Sequence, residues 1–115
     1  MFRFEQLEIW KSSIEYANKL YDIAKLFPKE EVFALSDQLR RSAISISNNI
    51  AEGSGSASGR GFSLFLDISI KSTLETVNIL IFAHKRKYIS EQGLSNLYKE
   101  AEILIKRIRS LQKTL

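Results

Sequence analysis

One proline and five glycines in 115 residues leave this chain very few places to turn. The proline is Pro28, and Gly53, Gly55, Gly59 and Gly61 crowd one short stretch. Glycine and proline are the strongest local breakers, so the segments between them read as long helices.

The apolar spacing agrees. In a first helix over about residues 5–26, Leu7, Trp10, Ile14, Ala17, Tyr21 and Ala24 recur three and four apart, one face of a helix. Phe27-Pro28 ends it, because the residue before proline is pushed out of the helical region. Residues 29–34 predict a short turn, with Val32 and Phe33 packing over the bundle end. Ser36 is the expected N-cap of a second helix over 36–52, with an inner stripe of Leu39, Ala43, Ile46 and Ile50. Gly53 is the expected left-handed stop, and 53–61 a flexible polar linker.

Ser58 is set to cap a third helix over 59–88, with Phe62, Leu66, Ser69, Thr73, Leu80 and His84 inward. Ser90 is set to cap a fourth over 91–113. There Leu94, Leu97, Ala101, Leu104, Ile108, Leu111 and Leu115 alternate strictly by three and four. No segment alternates with period two, so no sheet is expected. Four amphipathic helices on short loops predict an all-α fold: one domain over 1–115, an antiparallel up-and-down four-helix bundle.

The chain has no cysteine, which excludes disulfides and thiolate metal sites and fits a reducing cytoplasm, the expected location. No apolar run approaches the roughly 18 residues of a membrane span, and the N-terminus has no signal-peptide pattern, so no membrane role is expected. The net charge of +4 is uneven: −1 through residue 83 and +5 from residue 84 onward. Lys85, Arg86, Lys87, Lys106, Arg107 and Arg109 are therefore the candidate nucleic-acid contacts, against the alternative of a solvated helix face.

The second helix reads Gln38-Leu39-Arg40-Arg41-Ser42-Ala43-Ile44-Ser45-Ile46-Ser47-Asn48-Asn49-Ile50-Ala51-Glu52-Gly53. It resembles the signature of the 23S ribosomal RNA intervening-sequence proteins. The opening Phe4-Glu5-Gln6-Leu7-Glu8-Ile9-Trp10-Lys11, the turn Phe27-Pro28 with Glu31 and Leu35, and the stretches 65–68 and 72–75 resemble that family in the same order. Ser69 and Lys71 depart from it, standing where the family usually has Ala and Gly. The resemblance implies a four-helix bundle assembling with itself as a pentamer. A similar fold serves retroelements as an accessory protein that binds nucleic acid and a reverse transcriptase. It implies no defined reaction. Five copies at +4 each would approach about +20 and multiply weak RNA contacts.

Candidate site residues follow from the signature: Gln38, Arg40, Arg41, Ser45, Asn49, Glu52, Gly53, and Glu75 on the third helix. Arg40 and Arg41 suit phosphate or carboxylate, or a structural pair between Arg41 and Glu75 across the two helices. Asn49 and Glu52, three apart, share a face and predict a helix-end hydrogen-bond network. His84 reads as a satisfied structural histidine and Trp10 as a core anchor. The glycine stretch matches no phosphate-binding motif, and Ser110 to Lys113 matches a Ser-x-x-Lys pattern without partner motifs. No nucleophile–base pair, metal cluster, cofactor motif or small-molecule site is evident, so no enzyme and no cofactor are expected.

Ile68, Ile79, Phe82, Tyr98 and Ile105 lie off the inner stripes. One bundle core has no room for all of them, which predicts a subunit interface on the last two helices. The alternative is a thicker core covered by the 29–34 turn.

Overall fold

The computed structural model describes residues 1–115. It holds four helices: α1 Glu8–Ala24, α2 Leu35–Ser54, α3 Gly59–Lys85 and α4 Glu91–Gln112. Short 3-10 turns at Arg3–Gln6 and Lys29–Glu31 precede α1 and α2. Each helix packs against the next and α4 returns to α1, giving an up-and-down bundle of 43 × 24 × 21 Å.

The helix starts follow the sequence at two of four places. Ser58 Oγ accepts from the Gly61 amide and Ser90 Oγ from the Gly93 amide, each relieving an unpaired donor of a first turn. Ser36 does not cap α2. The helix already begins at Leu35, and the Ser36 hydroxyl donates to the Ala24 carbonyl, tying the end of α1 to the start of α2.

Val32 and Phe33 do not cover the bundle end; Phe33 is 92% exposed. Phe27 takes that place, its ring 5.6 Å from Tyr88, while the Tyr88 hydroxyl donates to Glu31 at 2.9 Å. The fixed φ of Pro28 folds the preceding aromatic inward and leaves the next turn outside.

α1 is rotated from the expected face. Ile9, Ser13, Tyr16 and Leu20 are buried alongside Ala17 and Ala24, whereas Tyr21 is exposed. Trp10 is only partly buried, edge-on to Phe4 at 5.1 Å. Tyr16 decides the rotation: its ring is sealed and its hydroxyl donates to the Leu97 carbonyl of α4 at 2.9 Å. Burial, and secondarily Glu100, push that phenol well above its ordinary pKa.

α3 ends in a 6→1 cap. The Tyr88 amide bonds the Ala83 carbonyl and the Lys87 amide bonds His84, both at 2.9 Å. Lys87 adopts φ 65, a left-handed position that glycine usually fills.

Candidate functional site

The inward half of the signature builds the seam between α2 and α3. Ser42 and Thr76 hydroxyls lie 2.8 Å apart, as do those of Ser45 and Ser72. Ser69 Oγ donates to the Ile46 carbonyl at 2.8 Å. Thr76 is also within reach of the Ser72 carbonyl of its own helix, and Ser42 of the Leu39 carbonyl. One hydroxyl of that pair thus donates across the seam while the other donates back into its helix.

Gly53 completes the seam and corrects an expectation. It is no left-handed stop, since α2 continues through Ser54 and no glycine has positive φ. It is small because α3 passes close: a Cβ there would stand 2.6 Å from Phe65 Cβ and 2.9 Å from Phe62 Cδ1.

The outward half of the signature lines an open groove of about 550 Å³, bordered by Tyr21 of α1 and by Arg40, Arg41, Ser45, Asn49 and Glu52. Asp37 also lines it and organises its cationic end. Arg41 Nε donates to Asp37 at 2.8 Å, and Arg40 Nη2 donates to the Val32 carbonyl at 3.0 Å. The expected Arg41–Glu75 pair does not form. Asp37 is one turn back on the same helix, so Arg41 has a carboxylate without reaching across the seam, and Glu75 stands exposed without an ion-pair partner.

Asn49 donates to the Ser45 carbonyl at 2.8 Å and to its hydroxyl at 3.1 Å. The expected network does not extend to Glu52, whose exposed carboxylate bonds nothing in the glycine linker; the helix runs past it, so those amides are used within α2. Gln38 is likewise exposed on the outer face of α2. The groove therefore offers guanidinium, amide and carboxylate groups to a partner. Its missed members, Asp37 and Asn48, were findable: Asp37 stands i,i+4 from Arg41 and Asn48 one position from Asn49.

His84 is elsewhere, part-buried near the end of α3, and its ring makes no hydrogen bond within the protein, contrary to a satisfied histidine. No three His, Asp or Glu side chains gather as metal ligands, and no helix is long and apolar enough to cross a membrane.

The off-stripe residues divide. Ile68, Phe82 and Tyr98 are 45%, 50% and 42% exposed. Ile79 is buried in the core of the single chain and Ile105 packs partly against it. Ile79 therefore belongs to the inner side of the chain, in a buried arc of α3 that also takes in Ile70. Leu64 and Leu74, also exposed on α3, were not singled out from the sequence.

The basic candidates form no single patch. Lys85, Arg86 and Lys87 sit at one bundle end, whereas Lys106, Arg107 and Arg109 lie ~20 Å along α4 at 1.5 Å per residue. Arg109 is engaged, donating to Asp67 at 2.9 Å and to Gln112 at 2.8 Å. The hydrogen bond from Gln112 foremost, then Arg109, holds the Asp67 carboxyl below its ordinary pKa. Arg107 donates only to Ser12 Oγ, at 3.2 Å. Arg86 stacks 5.8 Å over the Tyr88 ring.

Fold and groove together define the class: a small all-α bundle that turns hydrogen-bonding and apolar surfaces outward. The chain belongs to the 23S rRNA-intervening sequence protein family, whose model matches residues 5–110. A crystal structure of a protein of unknown function from the S23 ribosomal protein family of Bacteroides thetaiotaomicron has the same fold. It superposes with a TM-score of 0.83 at 25% identity, covering 91% of this chain and 98% of that one. No curated protein matches the chain.

Proposed function

We propose that this protein is a non-catalytic, self-associating scaffold or adaptor of the cytoplasm, assembling into a homo-oligomer such as a pentamer. The observation that carries this reading is the exposed apolar row on α3. Leu64, Ile68 and Phe82 stand in water on a helix whose other face is already filled. Exposed apolar surface gathered on one element marks an interaction site. The polar groove on α2 supports the same reading, because Asn48 and Glu52 carry hydrogen-bonding groups that the single chain leaves without a partner. Sedimentation velocity or light scattering at tens of micromolar tests it. A mass several times 13.2 kDa is expected, and a single 13.2 kDa species overturns it.

A second reading makes RNA the partner. Lys85, Arg86 and Lys87 crowd one end of the bundle, and in a ring with parallel subunits those ends point the same way. Repeated weak phosphate contacts then add. RNA titration against salt tests this, with binding that weakens steeply as salt rises. No binding at about 50 mM salt removes it.

A further inference from the structure

Resting on the self-association reading, we propose that the outer row of α3 of one copy seats in the groove between α1 and α4 of the next copy. The two lie at equal height, so that copies close into a ring about an axis parallel to the bundle.

Of the neighbouring helix pairs, α1 and α4 pack least closely. Three cavities follow one another along the groove between them, of about 460, 200 and 280 Å³, and they contain Leu97, Leu104 and Leu111 in turn. These leucines are seven residues apart, which spaces the cavities about 10.5 Å along α4. On α3, Ile68, Glu75 and Phe82 are exposed with the same seven-residue spacing. Row and groove thus share one period over two heptads.

The chemistry matches position by position. The cavity at Leu97 is lined by Ile23 and Leu26 together with Asp22, Asn96 and the Lys19–Glu100 pair, and Gly93 contributes no side chain, which leaves room for the Phe82 ring against the two apolar residues. The cavity at Leu111 is lined by Leu7 and Ile9, with Glu8, Ser110 and Arg107 beside them, and receives Ile68. The middle cavity holds Arg107, whose one partner is a serine hydroxyl, and it receives Glu75, which has no partner in its own chain. Glu100 at that cavity is already paired with Lys19 at 3.1 Å. Glu15 is the remaining charge that opposes Glu75 there.

The heights also agree. Asp67 bonds Arg109 and Gln112, which sets the antiparallel register of α3 on α4. Ile68 is therefore level with the Leu111 cavity, and Phe82, fourteen residues on, is level with the Leu97 cavity. A neighbour's α3 enters the groove with no shift along the bundle axis. Different surfaces meet, so the contact is head-to-tail, and without axial translation a head-to-tail contact closes rather than growing as a filament.

A charge exchange tests this. Glu75 and Arg107 are both exposed, so Glu75→Arg and Arg107→Glu leave the core intact, which circular dichroism checks. Each single variant is expected to weaken association at least about tenfold by native mass spectrometry, and the double variant to restore it. If the wild-type chain is monomeric, the self-association reading and this pairing fall together. If the wild type associates and neither single variant weakens it, self-association stands and the α3-in-groove contact is overturned. Phe82→Glu gives an independent reading: association is expected to be lost, and its persistence overturns the contact equally.

Discussion

Gly53 on α2 and Phe65 on α3 approach so closely that a methyl group on Gly53 would meet Phe65 Cβ at 2.6 Å. Phe65 Cβ is fixed to its helix and has no rotamer by which to retreat. Gly53 is helical, so alanine would gain about 1 kcal/mol in helix propensity. Overpacking at a closed contact costs about 1–3 kcal/mol and backbone movement adds to it. Gly53→Ala is therefore expected to destabilise the chain by about 1–2 kcal/mol net in urea unfolding, although alanine is the better helix former. A neutral or stabilising result would mean that the seam between α2 and α3 opens freely.

The hydroxyl pair Ser42–Thr76 is buried in the same seam. Removing one hydroxyl ends the bond across the seam and leaves the other donating to the carbonyl of its own helix, a loss of about 0.5–1.5 kcal/mol, and removing the second cannot lose that cross-seam bond again. Ser42→Ala and Thr76→Val are each expected to lower stability. The double variant is expected to cost about 1 kcal/mol less than the sum. Chemical denaturation of the four proteins measures the coupling, and strict additivity would show the two hydroxyls to be independent.

Lys87 holds φ 65 in the cap that ends α3. A side chain in that region costs roughly 1–2 kcal/mol, part of which glycine returns as entropy of the unfolded chain. Lys87→Gly is expected to raise stability by about 0.5–1 kcal/mol in thermal melts. The same variant reports on RNA. If Lys87 meets phosphate, its affinity falls while the melting temperature rises, an opposition that no simple folding defect produces.

The sequence showed helices wherever apolar spacing was unambiguous, and α4 is the clearest case, with Leu97, Ala101, Leu104 and Ile108 buried as expected. It misplaced the face of α1 because two stripes compete there, and only the Tyr16 hydroxyl reaching Leu97 selects between them. It misread Gly53 because glycine at a helix end and glycine under a crossing aromatic look alike until the partner helix is positioned. Ile79 fell on the wrong side because the buried arc of α3 is wider than a single seam, a width that periodicity within one helix does not encode. The candidate groove was legible as a signature before it was legible as a surface. The alternation of Ser42, Ile46 and Gly53 inward with Arg41, Asn48 and Glu52 outward emerges only once α3 is in place.

Asp67 links the start of α3 to the end of α4, accepting from Gln112 at 2.8 Å and from Arg109 at 2.9 Å. Its pKa in the folded chain is lowered, first by the Gln112 hydrogen bond and then by Arg109. The folded state therefore binds this proton less readily than the unfolded state, whose Asp titrates near ~3.9. The stabilisation is present above that value and is lost as pH falls through the folded pKa. Because the pair is half exposed, water and salt screen it and the effect is modest. Asp67→Asn is expected to lower the melting temperature slightly at pH 6 and to converge with the wild type as the pH falls through the lowered folded-state pKa. Added salt should narrow the gap at pH 6. Melting curves of both proteins across that range check it, and a difference that stays constant with pH would show that Asp67 acts through packing rather than charge.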